Sequence, residues 1–240
     1  MKSDTSAKPY DFSLTSIGRG FILVFLPLSA YIIAALPVIS GVFFILPRIP
    51  FSGLPYYLLF TIILFIAFFF LIIFETFIPG LFIRIFRIRV KEGEYALTIR
   101  EKAFFLHLLF FILYRPSLHL IGLIPLVPLR LLFVRLVGLK IGKGSLIGGT
   151  ELIDEPYAVT VGENSLIGGY STIFSHVSHT TMIMKPVVIG NNCFIGNKSV
   201  IMPGVIIEDN VIVEPGTVVP MDQVLKKSKT YYGNPATEKT

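Results

Sequence analysis

A ladder of apolar residues spaced six apart near the C-terminus is the strongest constraint on the fold of this chain. Its members are Ile189, Ile195, Ile201, Ile207, Val213 and Val219. This period fits neither an α-helix, which repeats at about 3.6 residues, nor a strand, which repeats at 2. It suits one side of a triangular coil, with one apolar residue per side pointing inward and small residues filling the interior between them. The spacing therefore predicts a parallel β-helix, whose coils are stable only when stacked.

The same ladder continues upstream, but its phase changes twice. One run of sixes ends at Ile153 and the next begins at Val161, displaced by two residues. From Ile173 to Ile189 the separation is sixteen residues, which is two hexads plus four extra. This surplus predicts a loop pushed out of the wall of the coil.

The repeat resembles that of the hexapeptide-repeat acyltransferases, which fold as left-handed parallel β-helices. The resemblance covers about residues 139–236. It is strongest in Lys185–Asn192, Ile195-Gly196 and Met202–Val205. It closes with Tyr232–Ala236, similar to the Gly-Asn-Pro-Ala signature that ends the coils of sugar and xenobiotic acetyltransferases. The left-handed winding is implied by the resemblance only, since ordinary parallel crossovers are right-handed. The spacing by itself leaves another parallel solenoid open.

The first half of the chain is too apolar for a soluble domain. The whole sequence is 53% hydrophobic and 15% charged, and neither Phe21–Pro47 nor Ile49–Phe74 contains a charged residue. Each stretch exceeds the ~20 residues that cross the hydrocarbon of a bilayer. A cleaved signal peptide is disfavoured, because its apolar core has only ~7–15 residues. These stretches predict a transmembrane helical hairpin.

The distribution of charge predicts the orientation of this hairpin. Residues 84–143 carry 11 Lys and Arg against 3 acids, whereas the predicted tip of the hairpin has Arg48 alone. The positive-inside rule therefore places both ends, and the β-helix, on the cytoplasmic side. The basic stretch also favours contact with anionic lipid headgroups. No nucleic-acid partner is expected, since residues 144–240 carry 6 basic and 9 acidic residues.

Two shorter apolar pieces, Ala103–Tyr114 and Leu118–Gly138, separate the hairpin from the coil. The first has twelve residues, too few to span a bilayer, and the second contains prolines and arginines. We expect interfacial or re-entrant segments, with a second pair of spans as the alternative. His107 and His119 are expected to face headgroups or the linker backbone. The predicted organisation is a cytoplasmic tail (1–20), a transmembrane hairpin (21–83), a basic linker (84–138), the β-helix (139–222) and a C-terminal loop and tail (223–240).

Two further histidines, His176 and His179, fall in the interrupted stretch of the ladder. The resemblance implies a catalytic histidine at this point. Acyl transfer from a thioester needs a base that takes a proton from the incoming hydroxyl or amine, and imidazole, with a pKa of about 6.5, suits that task. Ser175-His176 resembles the Ser/Thr-His pair of membrane-attached members and, more loosely, of modules in poly-lysine-type peptide synthetases. Soluble sugar acetyltransferases place theirs nearer His179. His176 is favoured, and the alternative is that one or both histidines only cap the loop.

A catalytic histidine also needs a group that fixes its tautomer. Four carboxylates lie one coil upstream and the sequence does not choose among them: Glu151, Asp154, Glu155 and Glu163. The resemblance implies coenzyme A contacts from Asn197, Pro215, Lys226 and Lys227, although a solvated loop explains the two lysines equally well. Two features depart from the family: residues 141–160 lack the acceptor-binding asparagine of the sugar acetyltransferases, and Pro220-Met221 replaces a Thr-Lys pair that touches coenzyme A.

Together these features predict a membrane-anchored acyltransferase, most simply an O-acetyltransferase, that uses acetyl-CoA or a related thioester. The resemblance implies a homotrimer with active sites between subunits. Anchoring favours a lipid-linked glycan or another membrane-held acceptor, because tethering raises effective concentration. Two alternatives stay open. One is a non-catalytic scaffold or docking module, and the other is a metal site like that of the carbonic anhydrases with this fold. No metal is predicted, because His176-x-x-His179 does not match their histidine spacing.

Overall fold

The computed structural model of the protein describes residues 13–49, 53–124 and 126–239. Four α-helices come first, and a short strand, β1 (Gly93–Ala96), lies between the second and the third. The helices are α1 (Leu14–Ile45), α2 (Gly53–Ile85), α3 (Lys102–Gly122) and α4 (Val127–Leu136). Of the described helices, α1, α2 and α3 are long and apolar enough to cross a membrane.

The helices α1 and α2 pack against each other and present apolar side chains outward. Phe43 and Phe65, for example, are 72% and 73% exposed. Such surfaces suit hydrocarbon better than water, because a soluble monomer rarely shows large contiguous apolar patches. Helix α1 continues through Pro27 and Pro37 as a single helix.

Helix α3 differs from the predicted twelve-residue apolar piece. It runs on through Arg115 and Pro116 to Gly122, a total of 21 residues. One face of α3 is buried, including Leu109, Phe110 and Leu113. The charge of Arg115 does not end the helix, because it pairs with an acid of the coil.

After α4, the chain forms three walls of stacked parallel strands. The first wall contains β2 (Lys140–Ile141), β5 (Val159–Val161), β10 (Val187–Ile189), β13 (Ile206–Ile207) and β16 (Val224–Leu225). The second contains β3 (Leu146–Ile147), β6 (Leu166–Ile167), β11 (Phe194–Ile195), β14 (Ile212–Val213) and β17 (Thr230–Tyr232), with β18 (Thr237–Glu238) antiparallel at its edge. The third contains β4 (Leu152–Ile153), β7 (Thr172–Ile173), β12 (Val200–Ile201) and β15 (Val218–Val219).

The residues of the hexad ladder face the interior of this coil. Ile195 pairs in register with Ile167 on one side and Val213 on the other, and all three are fully buried. Each ladder residue therefore stacks on its equivalent in the next coil, which excludes water along the axis. Within the described residues there are four complete coils and a fifth with two strands. The predicted fold class, a parallel β-helix preceded by apolar helices, is confirmed.

The predicted interruption of the ladder is an ordered hairpin. Strands β8 (His176–Ser178) and β9 (Thr181–Met184) pair antiparallel, and β1 adds to the other edge of β9. Met182 and Met184 pack against Val90 and Ala103 from the helical part of the chain. The hairpin thus ties the coil to the segment that joins α2 and α3.

Candidate active site

The inserted hairpin begins with His176, which it holds at the corner between the third and first walls. His176 follows β7 closely, and its side chain is 20% exposed. Its Nδ1 lies 2.6 Å from Oε1 of Glu155. The other oxygen of that carboxylate, Oε2, accepts a hydrogen bond of 3.2 Å from the backbone N–H of Ser175. Glu155 therefore contacts both the imidazole and the backbone that carries it.

Glu155 owes its position to the two-residue shift in the ladder. After β4 ends at Ile153, the chain runs through Asp154 and Glu155 into a 3₁₀ turn, Pro156–Ala158, before β5 begins. The extra residues enlarge this corner by one turn. Glu155 is only 2% exposed and lies opposite Ser175, the residue before His176, in the register of the neighbouring coil.

A second imidazole reaches the same carboxylate from helix α3. The rings of His107 and His176 have centroids 4.4 Å apart, and Nδ1 of His107 lies 3.8 Å from Oε1 of Glu155. The expectation that His107 faces headgroups or linker backbone is wrong, because α3 packs on the coil and buries it. His119 is exposed, with Nδ1 2.7 Å from the carbonyl oxygen of Arg115.

Three buried carboxylates at this edge of the coil each meet a basic residue of the helices. Besides the His107–Glu155 contact, Nε of Arg130 donates to Glu151 at 2.8 Å, and Nη2 of Arg115 lies 2.5 Å from Oδ1 of Asp154. A buried carboxylate requires such a partner, because desolvation otherwise penalises its charge. These contacts leave Glu155, of the four carboxylates considered above, as the one that touches His176.

Burial and neighbouring charges shift the pKa values of His176 and Asp154. Burial alone would lower the pKa of His176, but its contact with Glu155 and the charge of Asp154 outweigh burial and raise that pKa above its ordinary value. Burial and the neighbouring Glu155 raise the pKa of Asp154 to about 6, in spite of Arg115. Because His176 and Asp154 interact, their titrations are coupled.

The other predicted site residues lie apart from this cluster. His179 is exposed at the tip of the hairpin, where its backbone N–H donates to the carbonyl of Thr181 at 3.1 Å. Asn197 and Pro215 are exposed at the corner between the second and third walls. Lys226 and Lys227 lie at the corner between the first and second walls.

The two lysines at that corner bind Glu208. Nζ of Lys226 lies 3.2 Å from its Oε1, and the backbone N–H of Lys227 donates to its Oε2 at 2.8 Å. Within one chain, the predicted base and the predicted cofactor residues therefore occupy three different edges of the prism. A single coil does not bring them together.

The cluster also has the composition of a metal site. One ligand atom from each of His107, Glu155 and His176 lies within 4.8 Å of the others. Nδ1 of His107 is buried and has no hydrogen-bond partner in the described part of the chain. Two imidazoles and a carboxylate with an open fourth position are ligands that zinc accepts. Sequence reasoning missed this set because it considered only the pair His176 and His179.

One sequence signal could have identified His107. It lies eight residues before Arg115, which is two steps of four along a helix and places both side chains on one face. A helix extended through Arg115 and Pro116 would therefore have presented His107 and Arg115 together. The pattern does not say which surface they meet.

Comparison with known proteins places the coil in a family. Residues 186–220 match the family described as bacterial transferase hexapeptide (six repeats). The delta-poly-L-ornithine synthetase of Acinetobacter baumannii is 31% identical over 104 residues, 42% of this chain and 8% of that protein. The galactoside O-acetyltransferase of Escherichia coli is 35% identical over 92 residues, 35% of this chain and 45% of that protein.

Among solved structures, a hexapeptide-repeat-containing acetyltransferase from Vibrio cholerae aligns with a TM-score of 0.42 at 18% identity, over 52% of this chain and 89% of that chain. The chain spans less than half the length of the curated relatives that it matches. The family match agrees with the left-handed winding that the sequence resemblance implies. Residues 186–220 of the coil thus carry the hexapeptide repeat described for bacterial transferases.

Proposed function

We propose that this protein is a membrane-anchored acyltransferase with His176 as its general base. It transfers an acyl group, most simply acetyl, from an acyl-CoA thioester to a hydroxyl or amine. The observation that supports this role is the contact between His176 and the buried carboxylate of Glu155 at the hairpin corner. An imidazole backed by a buried carboxylate is an arrangement used for proton transfer in acyl-transfer chemistry. The name of one curated relative, a galactoside O-acetyltransferase, favours acetyl as the acyl group and a sugar hydroxyl as the acceptor.

The proposed reaction is a direct transfer in a complex of both substrates. In this proposal the carboxylate of Glu155, 2.6 Å from Nδ1, favours the tautomer of His176 that is protonated there, and Nε2 is the nitrogen that accepts a proton. The acceptor oxygen attacks the thioester carbonyl while its proton passes to Nε2. The tetrahedral intermediate then expels the thiolate of coenzyme A, which takes the same proton from the imidazolium. A positioned base of this kind contributes ~10²–10⁴-fold to the rate.

The active enzyme in this proposal is a homotrimer. The proposed site residues occupy three different edges of one prism: His176 lies on one, Asn197 and Pro215 on a second, and Lys226 and Lys227 on a third. A site that uses all of them therefore requires edges from neighbouring subunits. Acyl-CoA then binds in the cleft between coils, with its phosphates near the lysines. Helices α1 and α2 anchor each subunit, with the coil on the cytoplasmic side, and the acceptor is a membrane-held molecule such as a lipid-linked glycan.

Thioester consumption by the purified protein tests the catalytic role. Detergent-solubilised protein is given acetyl-CoA and a panel of sugar and amine acceptors, and released thiol is measured. His176→Ala is expected to lower the rate at least 100-fold. The matched control is His119→Gln, which changes an exposed imidazole on α3 and is expected to keep full activity. Equal rates for wild type and His176→Ala would contradict the assignment. The absence of saturable coenzyme A binding in a calorimetric titration would favour the scaffold alternative.

A metal-dependent reaction is the second candidate function. It is favoured by the three donor groups of His107, Glu155 and His176 within 4.8 Å of one another. Elemental analysis of protein purified without chelator measures it directly. Close to one zinc per chain in wild type, lost in both His107→Ala and Glu155→Gln, would support this candidate and displace the general-base proposal.

A further inference from the structure

A basic cavity lies where α2 ends and the coil begins. It has a volume of about 340 Å³ and is lined by Arg84, Arg87 and Arg89 from the end of α2 and the residues that follow it, and by Lys140 at the start of the coil. Leu136 and Tyr157 complete its apolar side. This volume is in the range of small-ligand sites, which are about 300–1,000 Å³. The cavity shares no lining residue with the His176 cluster.

The cations of this cavity have no counter-ions among the residues that the structure describes. Across the described residues, the side chains of Arg84, Arg87, Arg89 and Lys140 make no ion pair and no hydrogen bond. In contrast, Arg115 and Arg130 of the neighbouring helices are both paired with acids of the coil. Four positive groups around one cavity repel one another, so an anion bound there is stabilised by all four.

The backbone that carries the arginines forms a hydrogen-bonded turn between two buried residues. Helix α2 ends in a turn in which the N–H of Ile88 donates to the carbonyl of Ile83 at 3.0 Å. Arg87 adopts a left-handed conformation in this turn, with φ of 49°. Ile83 and Ile88 on either side are 3% and 2% exposed. Arg84, Arg87 and Arg89 therefore project from a rigid corner.

The surroundings of the cavity point to a ligand that is anionic at one end and apolar at the other. Leu81, Ile85 and Phe86 beside the arginines are 42%, 68% and 57% exposed and belong to, or directly follow, an apolar helix long enough to span a bilayer. A small free anion gains nothing from contact with these apolar side chains. A lipid places its phosphate among guanidinium groups, which bind phosphate in a bidentate manner, and its acyl chains along the helix.

We infer that this cavity binds the phosphate of an anionic membrane lipid. The inference is independent of the proposed acyltransferase activity, because it involves neither His176 nor acyl-CoA. Bound lipid places a negative charge among four cations and so fixes α2 and the start of the coil at the level of the headgroups.

Lipid binding by the purified full-length protein tests this inference. The probes are phosphatidylglycerol, phosphatidylcholine and inorganic phosphate, and the affinity of each is measured by native mass spectrometry after delipidation. Wild type is expected to bind phosphatidylglycerol at least 10-fold more tightly than phosphatidylcholine. The triple variant Arg84→Gln, Arg87→Gln, Arg89→Gln is expected to lose on the order of 10- to 100-fold in affinity for phosphatidylglycerol.

The control variant removes the same charge elsewhere: Lys143→Gln, Lys198→Gln, Lys229→Gln, all exposed on the coil. It is expected to retain wild-type lipid binding. Equal losses in both triple variants would overturn the inference, since net charge alone would explain them. Inorganic phosphate that displaces the lipid at comparable concentrations would overturn it in favour of a free-anion site. If the arginine variant does not fold, Arg89→Gln alone is used, and unchanged affinity in that variant counts against the site.

Discussion

At the scale of the residue, the site depends on one buried carboxylate with three partners. Glu155 touches Nδ1 of His176, approaches Nδ1 of His107 and accepts from the N–H of Ser175. In the proposed reaction, such a network fixes the ring of His176 and its tautomer, and it stabilises the imidazolium formed when His176 takes a proton. Glu155 is therefore the residue on which both the geometry and the pH dependence of His176 depend.

The variant Glu155→Gln is expected to lower kcat by about 100-fold with a small effect on KM. It is also expected to change the pH profile. Wild-type activity is expected to rise with pH as His176 loses its proton, and Glu155 raises the pKa of that group. Removing the carboxylate lowers the pKa, so the rising limb of kcat/KM moves to lower pH. Rates measured from pH 5 to 9 check both effects. Glu163→Gln, at an exposed carboxylate of the same coil, is the control, and an unmoved limb in Glu155→Gln would contradict the role.

At the scale of the element, helix α3 and the acidic edge of the coil are held together by matched charges. Arg115 and Asp154 form one such pair, with side chains 24% and 6% exposed. Tyr114 adds a hydrogen bond of 2.7 Å from its hydroxyl to the carbonyl of Ile153. The same helix carries His107. The packing of α3 on the coil therefore also brings His107 next to His176 and Glu155.

Replacing one member of the Arg115–Asp154 pair is expected to undock α3 in part. Arg115→Met leaves Asp154 buried and unpaired, which costs roughly 1–3 kcal/mol, less than the ~3–5 kcal/mol of a fully buried pair because Arg115 is partly exposed. The double variant Arg115→Met, Asp154→Asn is expected to recover most of that loss. Thermal unfolding in detergent of both single variants and the double variant measures the coupling. Additive losses would show that the two side chains do not depend on each other.

The coil itself depends on close contact between successive turns. A Cβ added at Gly196 would lie 2.4 Å from the backbone nitrogen of Pro215 in the next coil, closer than atoms approach. Gly196→Ala is therefore expected to destabilise the coil by about 1–3 kcal/mol. Gly20→Ala is the matched control, because nothing lies within 4 Å of a Cβ at that helical position. Loss of the strand signal in circular dichroism on heating reports the difference, and an unchanged midpoint for Gly196→Ala would argue against this packing.

At the scale of the whole molecule, the prism separates the residues that the proposed reaction needs together. The base lies on one edge, and the lysines proposed to bind coenzyme A lie on another. The short core of four to five coils also leaves broad walls open to a neighbour. Both features favour a trimer in which each cleft combines edges of neighbouring subunits.

Complementation between inactive subunits tests the shared site. His176→Ala chains and chains with Lys226→Gln and Lys227→Gln are each expected to have low activity alone. Co-expressed, they are expected to recover a fraction of wild-type activity, since some clefts then combine an intact base with intact lysines. Native mass spectrometry should give three chains of 26.8 kDa per particle. No recovery in confirmed mixed trimers would show that each site is built from a single chain.

The sequence by itself determined the coil, its interruption and the apolar helices. A hexad period is a local property, because each coil repeats the contacts of the last, so Ile189 to Val219 reveal their environment without knowledge of any distant partner. Hydrocarbon-length apolar stretches are equally local. The histidine at the start of the hairpin was predictable for the same reason, since the extra residues between Ile173 and Ile189 mark the break.

Only the tertiary structure decided which groups meet at that break. The sequence left four carboxylates open and assigned His107 to the headgroups, because nothing in the spacing of the helices fixes the surface on which α3 rests. That surface is set by the burial of its apolar face and by charge pairs across 21 to 48 positions of sequence, from Arg130–Glu151 to His107 and Glu155. Contacts of this range depend on the packing of two different kinds of structure, a helix and a coil, and neither repeat pattern contains that information.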